Sequence, residues 1–388
     1  MRYDVYVTVW GEKWVRRYLD HALPSQFHPS NFPAVASDAD IAITVYTDRE
    51  SAPMFDEAAA IIGDAARLEL RFFDEVALRS GTVAEAMANA EPSKLKHNVQ
   101  RVTSQHFLKS VAGHDDTAVV LTDSDFVFSQ GSLAYMHTRR KAGIRGLAVA
   151  CLRMDGGTAQ RALTEMRRES GEAALPSREL VRLSLDHMHP IAKAFFVDAH
   201  PFTPYPTQLN WWVGKNGFVT RWFFPHPLMV VPDAGAVNYS STMDYDYILR
   251  GVSDAGAIEV VRSSDDLAIA KLPPAGYLQD LTTETQPPTP ESMARFVVDN
   301  TNIRHSLFVS QPVRFIAWGD EEAWQQVEAE SQAFIEATYA AAEALVKQVS
   351  MSDARNLAYI KSFLGPIEDF MSPQLHAQMR DWMPVAAR

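Results

Sequence analysis

The 388-residue chain has a single cysteine, Cys151. That excludes a disulfide framework and any zinc site built on several cysteines, and it fits a reducing compartment. No apolar run reaches the roughly 18 residues that a membrane helix needs. The opening stretch "MRYDVYVTVWGEKW" starts directly on a strand pattern, without the hydrophobic region of a signal peptide. The expectation is a cytoplasmic protein, at most peripheral to the inner face of a membrane. Basic charge is also short: 36 Lys and Arg stand against 48 Asp and Glu, a net charge of −12. Such a balance argues against generic binding to phosphate backbones, so no nucleic-acid partner is expected. There is no internal repeat. What the chain does have is 47% hydrophobic residues, enough for a sizeable core.

Strand and helix patterns alternate through the first 150 residues. "DVYVTVW" reads as strand and Glu12 to Leu23 as helix; "DIAITVYTD" as strand and "APMFDEAAAIIGDAA" as helix. "ARLELRFF" is a third strand. The helix "SKLKHNVQRVTSQHFLKSVAG" gathers Val99, Val102, His106, Phe107 and Val111 near one face. "TAVVLTDSD" then reads as strand, Gln130 to Ala142 as helix, and "GLAVACLRM" as one further strand. This alternation implies an α/β fold: a mixed, mostly parallel sheet with helices on both faces. Residues 139–190 form a basic helical insertion, with ten Lys or Arg against five Asp or Glu from Arg139 to Arg182. A solvated surface explains it; a mobile cover or a surface for an anionic acceptor is the alternative. "NWWVGKNGFVTRWFFPHPLMVVP" reads as an aromatic hairpin broken by Gly214 and Gly217, and 271–290 as a Pro- and Thr-rich loop. A strong helix follows Asp320, its expected N-cap, and shorter helical patterns finish the chain. The division is 1–318 as a catalytic domain and 319–388 as a helical extension. The extension's Trp324, Val327, Phe334, Ile335 and Tyr339 call for packing on the sheet domain or on a second copy of the chain.

The chemistry points to "TAVVLTDSDFVFSQGS". A buried β-branched run ends on Asp123 and Asp125, one residue apart. Two like charges at a strand end repel each other, and burying them unpaired is costly. A divalent cation ligated by both removes the cost, and so does a solvated turn. Ligands of parallel sheets bind beyond the carboxyl ends of the strands, where this pair sits.

Two families place Asp-x-Asp at such a position. "VVLTDSDFV" resembles the motif of haloacid-dehalogenase-type phosphatases, which would make Asp123 the nucleophile and Asp125 the acid/base, with "SSDDLAIA" at Ser263 as a loose stand-in for the late acidic motif. In that family, however, the motif lies on the first core strand, and here about three strand–helix units precede it.

From Tyr3 to Trp318 the chain more fully resembles the GT-A glycosyltransferases, loosely the family-8-like members. The first strand, "VYVTVWGEKW", would receive the nucleotide beside Thr8 and Trp10. The second ends on the polar pair Thr47-Asp48, and Ser124 is the small middle residue of the metal motif. "RVTSQHFLKSVAGHDDTAVVLTDSD" resembles the helix preceding that motif, which assigns Arg101 to the donor phosphates. The resemblance implies Mn²⁺ or Mg²⁺ on Asp123 and Asp125, bridging a diphosphate whose charge grows as the glycosidic bond breaks. It also implies a nucleotide-sugar donor, UDP-linked by preference and of hexose type, and a glycan, lipid-linked or protein acceptor. Trp10 would stack on the base and Asp48 would accept from base or ribose.

Two later sites complete the expectation. "YSSTMDYDYILR" offers Asp244 and Asp246 as the acceptor-side carboxylate, Asp244 ahead, with helix capping as the alternative role. His305 in "NTNIRHSLFVSQPVRFIAW" would be a third metal ligand, although the family-8 histidine motif with its Gly and Lys-Pro-Trp is not matched. His187, His189 and His200 do not have zinc-site spacing. The expectation is a metal-dependent glycosyltransferase. Its rivals are the phosphatase and a degenerate GT-A domain that docks partners through its late helices, the route also to a homo-oligomer.

Overall fold

The computed structural model describes residues 1–111, 117–233, 242–277, 286–319 and 321–348. Asp320, part of the Pro- and Thr-rich loop and the helical patterns beyond residue 348 lie outside them. Seven strands form the central sheet in the order Ile258–Val260, Gly146–Val149, His226–Val230, Thr117–Leu121, Arg2–Thr8, Asp40–Thr47 and Arg67–Phe72. All neighbours run parallel except His226–Val230, which is antiparallel to both of its partners. The fold is therefore the expected mixed, mostly parallel α/β sheet flanked by helices. Among the described residues, no helix is long and apolar enough to cross a membrane.

Local sequence explains the central strands. Tyr3, Val5, Tyr6 and Val7 are all buried, as are Ala118 to Leu121, so both faces of these strands are covered, as interior parallel strands require. The edge strand Arg67–Phe72 instead alternates exposed Arg67, Glu69 and Arg71 with half-buried Leu68 and Leu70, a charged rim that resists edge-to-edge pairing. The helix Pro92–Val111 buries Val99, Val102, Phe107 and Val111 against the sheet, the face its periodicity indicates.

Two segments depart from the sequence expectation. "GLAVACLRM" is not one strand. Gly146–Val149 stays in the central sheet, while Leu152–Arg153 joins a small sheet with Ile269–Lys271 and Phe126–Phe128. Lys271, expected to open a loop, is thus the last residue of a strand. The aromatic stretch does form a hairpin, Gln208–Trp212 with Gly217–Trp222, but its continuation His226–Val230 leaves to enter the central sheet. Proline inside a strand hides such an insertion. Pro227 is accommodated because the pairing register shifts between Pro227 and Met229.

The hairpin gains a third strand, Val313–Ile316. Gly217 permits this: its φ of +133° favours glycine, and a Cβ there would collide with the Phe315 carbonyl. The long helix Glu321–Gln348 packs on this sheet and on the helix Pro290–Asn300, burying Ile335 and Ala342 with Trp211, Phe223 and Val297, and Trp324 with Val213, Val219 and Ile316. Val327, Phe334 and Tyr339 are partly buried against the same clusters.

Arg221 clasps the assembly at its centre. It is 1% exposed. Its Nε donates to Ser331 Oγ (2.9 Å), Nη1 to Ser310 O (2.6 Å) and Gln332 Oε1 (2.8 Å), and Nη2 to Glu328 O (3.2 Å). Burial pushes its pKa down to about 10, yet the guanidinium stays charged at neutral pH. Replacing it with alanine removes the donors of Ser310 O and Gln332 Oε1 and leaves a void where the buried side chain stood. We expect Arg221→Ala to cost about 3 kcal/mol in urea unfolding; a loss below about 1 kcal/mol would mean that the helix docks without the arginine.

Candidate active site

Chain order reverses between the strands Arg2–Thr8 and Thr117–Leu121. From the first strand the sheet grows one way through Asp40–Thr47 and Arg67–Phe72, then resumes on the other side with Thr117–Leu121. At such a switch point the loops leaving the two strands diverge and open a crevice. The register places Tyr6 opposite Leu121, so Thr8 to Trp10 and Asp123 to Asp125 emerge side by side. The antiparallel strand brings its amino end to the same edge, and His226 Nε2–H donates to Leu121 O at 2.7 Å. Burial lowers the His226 pKa, and the nearby Lys271 ammonium lowers it further, keeping the ring neutral.

Asp123 is held by two donors. Gln100 Nε2 reaches its Oδ1 at 2.6 Å and Lys271 Nζ its Oδ2 at 3.1 Å. Both members of the ion pair are mostly buried, with side chains 17% and 18% exposed. Burial opposes each charge, but the partners outweigh it. Lys271 first, then Lys96, hold the Asp123 carboxyl well below the usual carboxylate range, and Asp123 holds Lys271 above the usual lysine range. Lys271 is placed by pairing with Phe126, over whose ring its ammonium sits at 4.6 Å. The backbone after it is pinned three times: Arg17 Nη1 donates to Leu272 O, Gly156 N to Pro273 O at 2.7 Å, and His189 Nε2 to Pro274 O at 2.8 Å. Gly156 allows that approach, since a Cβ would lie 2.6 Å from Leu272 O. Asp125 is 9% exposed and has no hydrogen-bond partner among the described residues.

The crevice has two halves that share Lys96, Gln100, Asp123 and Asp125. One half is apolar and aromatic, lined by Thr8, Val9, Trp10, Trp14 and Ser124. Trp10 packs edge-on against Phe73 at 5.5 Å, and Trp14 stacks on the Arg17 guanidinium at 4.6 Å. The other half is charged: Lys96, Arg101, Arg153 and Lys271 face Asp123, Asp125 and Asp244. Lys96, Gln100 and Ser104 recur every fourth residue on the helix Pro92–Val111, with His97 and Arg101 beside them, so one helical face supplies much of the wall.

The structure therefore brings together Thr8, Trp10, Arg101, Asp123, Ser124, Asp125 and Asp244. Three expected residues are elsewhere. Asp48 does not line the crevice; its Oδ1 accepts from Ser51 N at 2.7 Å and caps a turn. Asp246 is fully buried and ion-paired with Arg250 at 3.0 Å, one turn along the helix Met243–Gly251. His305 is buried among Phe224, Tyr245 and Phe308. Its Nε2 donates to Tyr245 O at 2.8 Å and its Nδ1 meets the Asn302 backbone, so neither nitrogen reaches Asp123. Aromatic packing, not ligation, explains this histidine. His189 caps the short helix Pro190–Lys193. Sequence reasoning missed Lys96, Gln100, Arg153, His226 and Lys271. Lys96 and Gln100 are i and i+4 on the row of the helix beside the one that carries Arg101, a signal the sequence does contain; the others have only non-local causes.

A cation held by both aspartates fits this donor set poorly. Both Asp123 oxygens already accept from protein donors. An ion on Oδ2 would meet the Lys271 ammonium beside the same atom. Like charges about 4 Å apart repel by roughly 4 kcal/mol per unit pair at an effective dielectric near 20. Among the described residues, no group of three or more His, Cys, Asp or Glu side chains is arranged to hold a metal.

No protein-family model and no curated protein sequence matches the chain. Among solved structures it is similar to mouse xyloside xylosyltransferase 1 in its apo form (6% identity, 44% of this chain and 59% of that one, TM-score 0.27). It is also similar to 4-diphosphocytidyl-2C-methyl-D-erythritol synthase from Anaerococcus prevotii (9% identity, 39% and 55%, TM-score 0.23). A third is a structure described as a glucose-1-phosphate thymidylyltransferase from Bacillus anthracis, in complex with sucrose (14% identity, 39% and 55%, TM-score 0.22). The chain spans between half and two thirds of each of these structures. Overlaps this partial leave the chemistry of the crevice to be read from its own residues.

The two aspartates should differ sharply in what they do for stability. Asp123→Asn leaves Lys271 buried without its counter-charge and should cost about 3 kcal/mol or more. Asp125→Asn removes a charge with no bonded partner and should change stability by less than about 1 kcal/mol. The depressed Asp123 contributes above about pH 4, its unfolded value, and that contribution fades as pH falls through its folded value. The raised Lys271 contributes below about pH 10.4 and loses its share as pH rises through its folded value. The gap between the two variants in urea unfolding should therefore be flat from about pH 5 to 9. Equal losses in both variants would show that the Lys271–Asp123 pair does not anchor the site.

Proposed function

We propose that this protein is a nucleotide-sugar-dependent glycosyltransferase of GT-A type, with its donor in the switch-point crevice. The observation that carries the reading is the junction of an aromatic half and a charged half at Asp123, Asp125, Gln100 and Lys96. A nucleoside diphosphate has that same division. Its base and ribose suit the aromatic half with Trp10 and Trp14, and its diphosphate suits the cations of the junction. A UDP-linked hexose is the donor we favour. The sugar would then point toward Asp244, an exposed residue that lines the charged half and not the aromatic one.

Transfer would proceed as follows. The acceptor hydroxyl oxygen attacks the anomeric carbon, and the bond to the diphosphate breaks with its electron pair going to the leaving group. Arg101, Lys96 and Lys271 provide preorganised positive charge for that developing anion. In an inverting reaction Asp244 takes the hydroxyl proton; in a retaining one it stabilises the positive sugar and the proton passes to the oxygen of the departing diphosphate. The Mn²⁺ or Mg²⁺ expected from the motif would supply further charge stabilisation, but the donor set around Asp123 gives it little room.

The phosphatase alternative needs acids beside Asp123, and its late motif is not there. Asp265 is exposed and ion-paired with Arg178 at 2.9 and 2.8 Å.

A panel of nucleoside diphosphates (UDP, GDP, CDP, ADP, dTDP) should raise the melting temperature for one member by mass action. No shift with any of them would end the reading. Asp244→Asn should slow sugar transfer roughly 10²–10⁴-fold, the range for a lost general base, while donor affinity stays within about twofold. An equal loss of affinity and rate would move Asp244 to the donor side.

A further inference from the structure

We propose that Lys271 takes the place of the divalent cation in this site, so that the diphosphate is held and neutralised without metal. The inference rests on the nucleotide-sugar reading and departs from what the Asp-Ser-Asp motif alone implies. Three observations carry it. First, Lys271 Nζ lies 3.1 Å from Asp123 Oδ2 while Gln100 Nε2 occupies Oδ1, so the carboxylate already has its partners. Second, the ammonium is built in: strand pairing with Phe126 and the pinned carbonyls of Leu272, Pro273 and Pro274 fix where it emerges. Third, the crevice is cationic on an acidic chain. Lys96, Arg101, Arg153 and Lys271 outnumber Asp123, Asp125 and Asp244, although the whole protein has a net charge of −12.

Asp123 then has a different task from the one its motif suggests. It is a positioning residue that keeps Lys271 charged and aimed into the crevice, as a carboxylate orients a metal ligand in other sites. A fixed ammonium cannot chelate two phosphate oxygens as a metal does. It does provide charge and the two donors not given to Asp123, and Lys96, one helical turn before Gln100, adds a second cation at the junction.

Calorimetry on the full chain, with the nucleoside diphosphate selected by the thermal panel, tests this directly. In excess EDTA the wild-type protein should bind it with an affinity within about threefold of that in Mn²⁺ or Mg²⁺. Lys271→Met should weaken binding in EDTA by roughly tenfold to a hundredfold, the effect of one lost charge-assisted contact. It should also create a metal dependence absent from the wild type, because Asp123 is released. Should Lys271→Met fail to fold, Lys96→Met tests the second cation, and the wild-type comparison needs no variant. Wild-type binding seen only with metal would overturn the proposal and leave the glycosyltransferase reading intact. Binding in neither buffer would overturn both.

Discussion

The ion pair between Lys271 and Asp123 is the joint on which the site turns. Asp123 belongs to the loop leaving the central sheet, and Lys271 to the small sheet beside it; apart from Phe126, nothing in the sequence near either residue announces the other. Two mostly buried opposite charges 3.1 Å apart lock those sheets in one relation. The aromatic wall meets the charged wall only because that relation is fixed. Arg17 serves both sides, stacking on Trp14 and holding the carbonyl next to Lys271.

Much of this was legible in the sequence, wherever the signal was local. A fully apolar run that ends on two acids must be an interior strand delivering polar groups to a sheet edge, and Thr117–Leu121 does so. The apolar face of Pro92–Val111 determined which side chains could face the other way, and Arg101 follows from it. Thr8 and Trp10 were readable because they stand at the carboxyl end of the first strand, where ligands of a parallel sheet bind.

What escaped the sequence had distant causes. Lys271 precedes two prolines and reads as the mouth of a loop; only pairing with Phe126 makes it a strand residue. His226 lies between prolines in an aromatic stretch, and its place depends on an antiparallel insertion between two strands from earlier in the chain. His305 shows the converse error. A lone histidine among polar residues in sequence is, in space, an aromatic packing element whose nitrogens satisfy backbone groups. Asp246, two residues after Asp244, is in sequence the second choice for the same role, but the backbone turns its carboxylate to Arg250 and that of Asp244 to the crevice.

The small sheet under the long helix has a consequence for how the molecule assembles. Its hairpin, Gln208–Trp212 with Gly217–Trp222, closes locally, whereas its third strand, Val313–Ile316, must return from far along the chain. The entropy of closing that loop is lost before the pairing offsets it, so the hairpin forms early and the third strand late. The helix Glu321–Gln348 follows the third strand almost directly and cannot seat before it. Arg221, waiting on the hairpin for Ser331 and Gln332, therefore closes last, and its bonds slow unfolding more than they hasten folding.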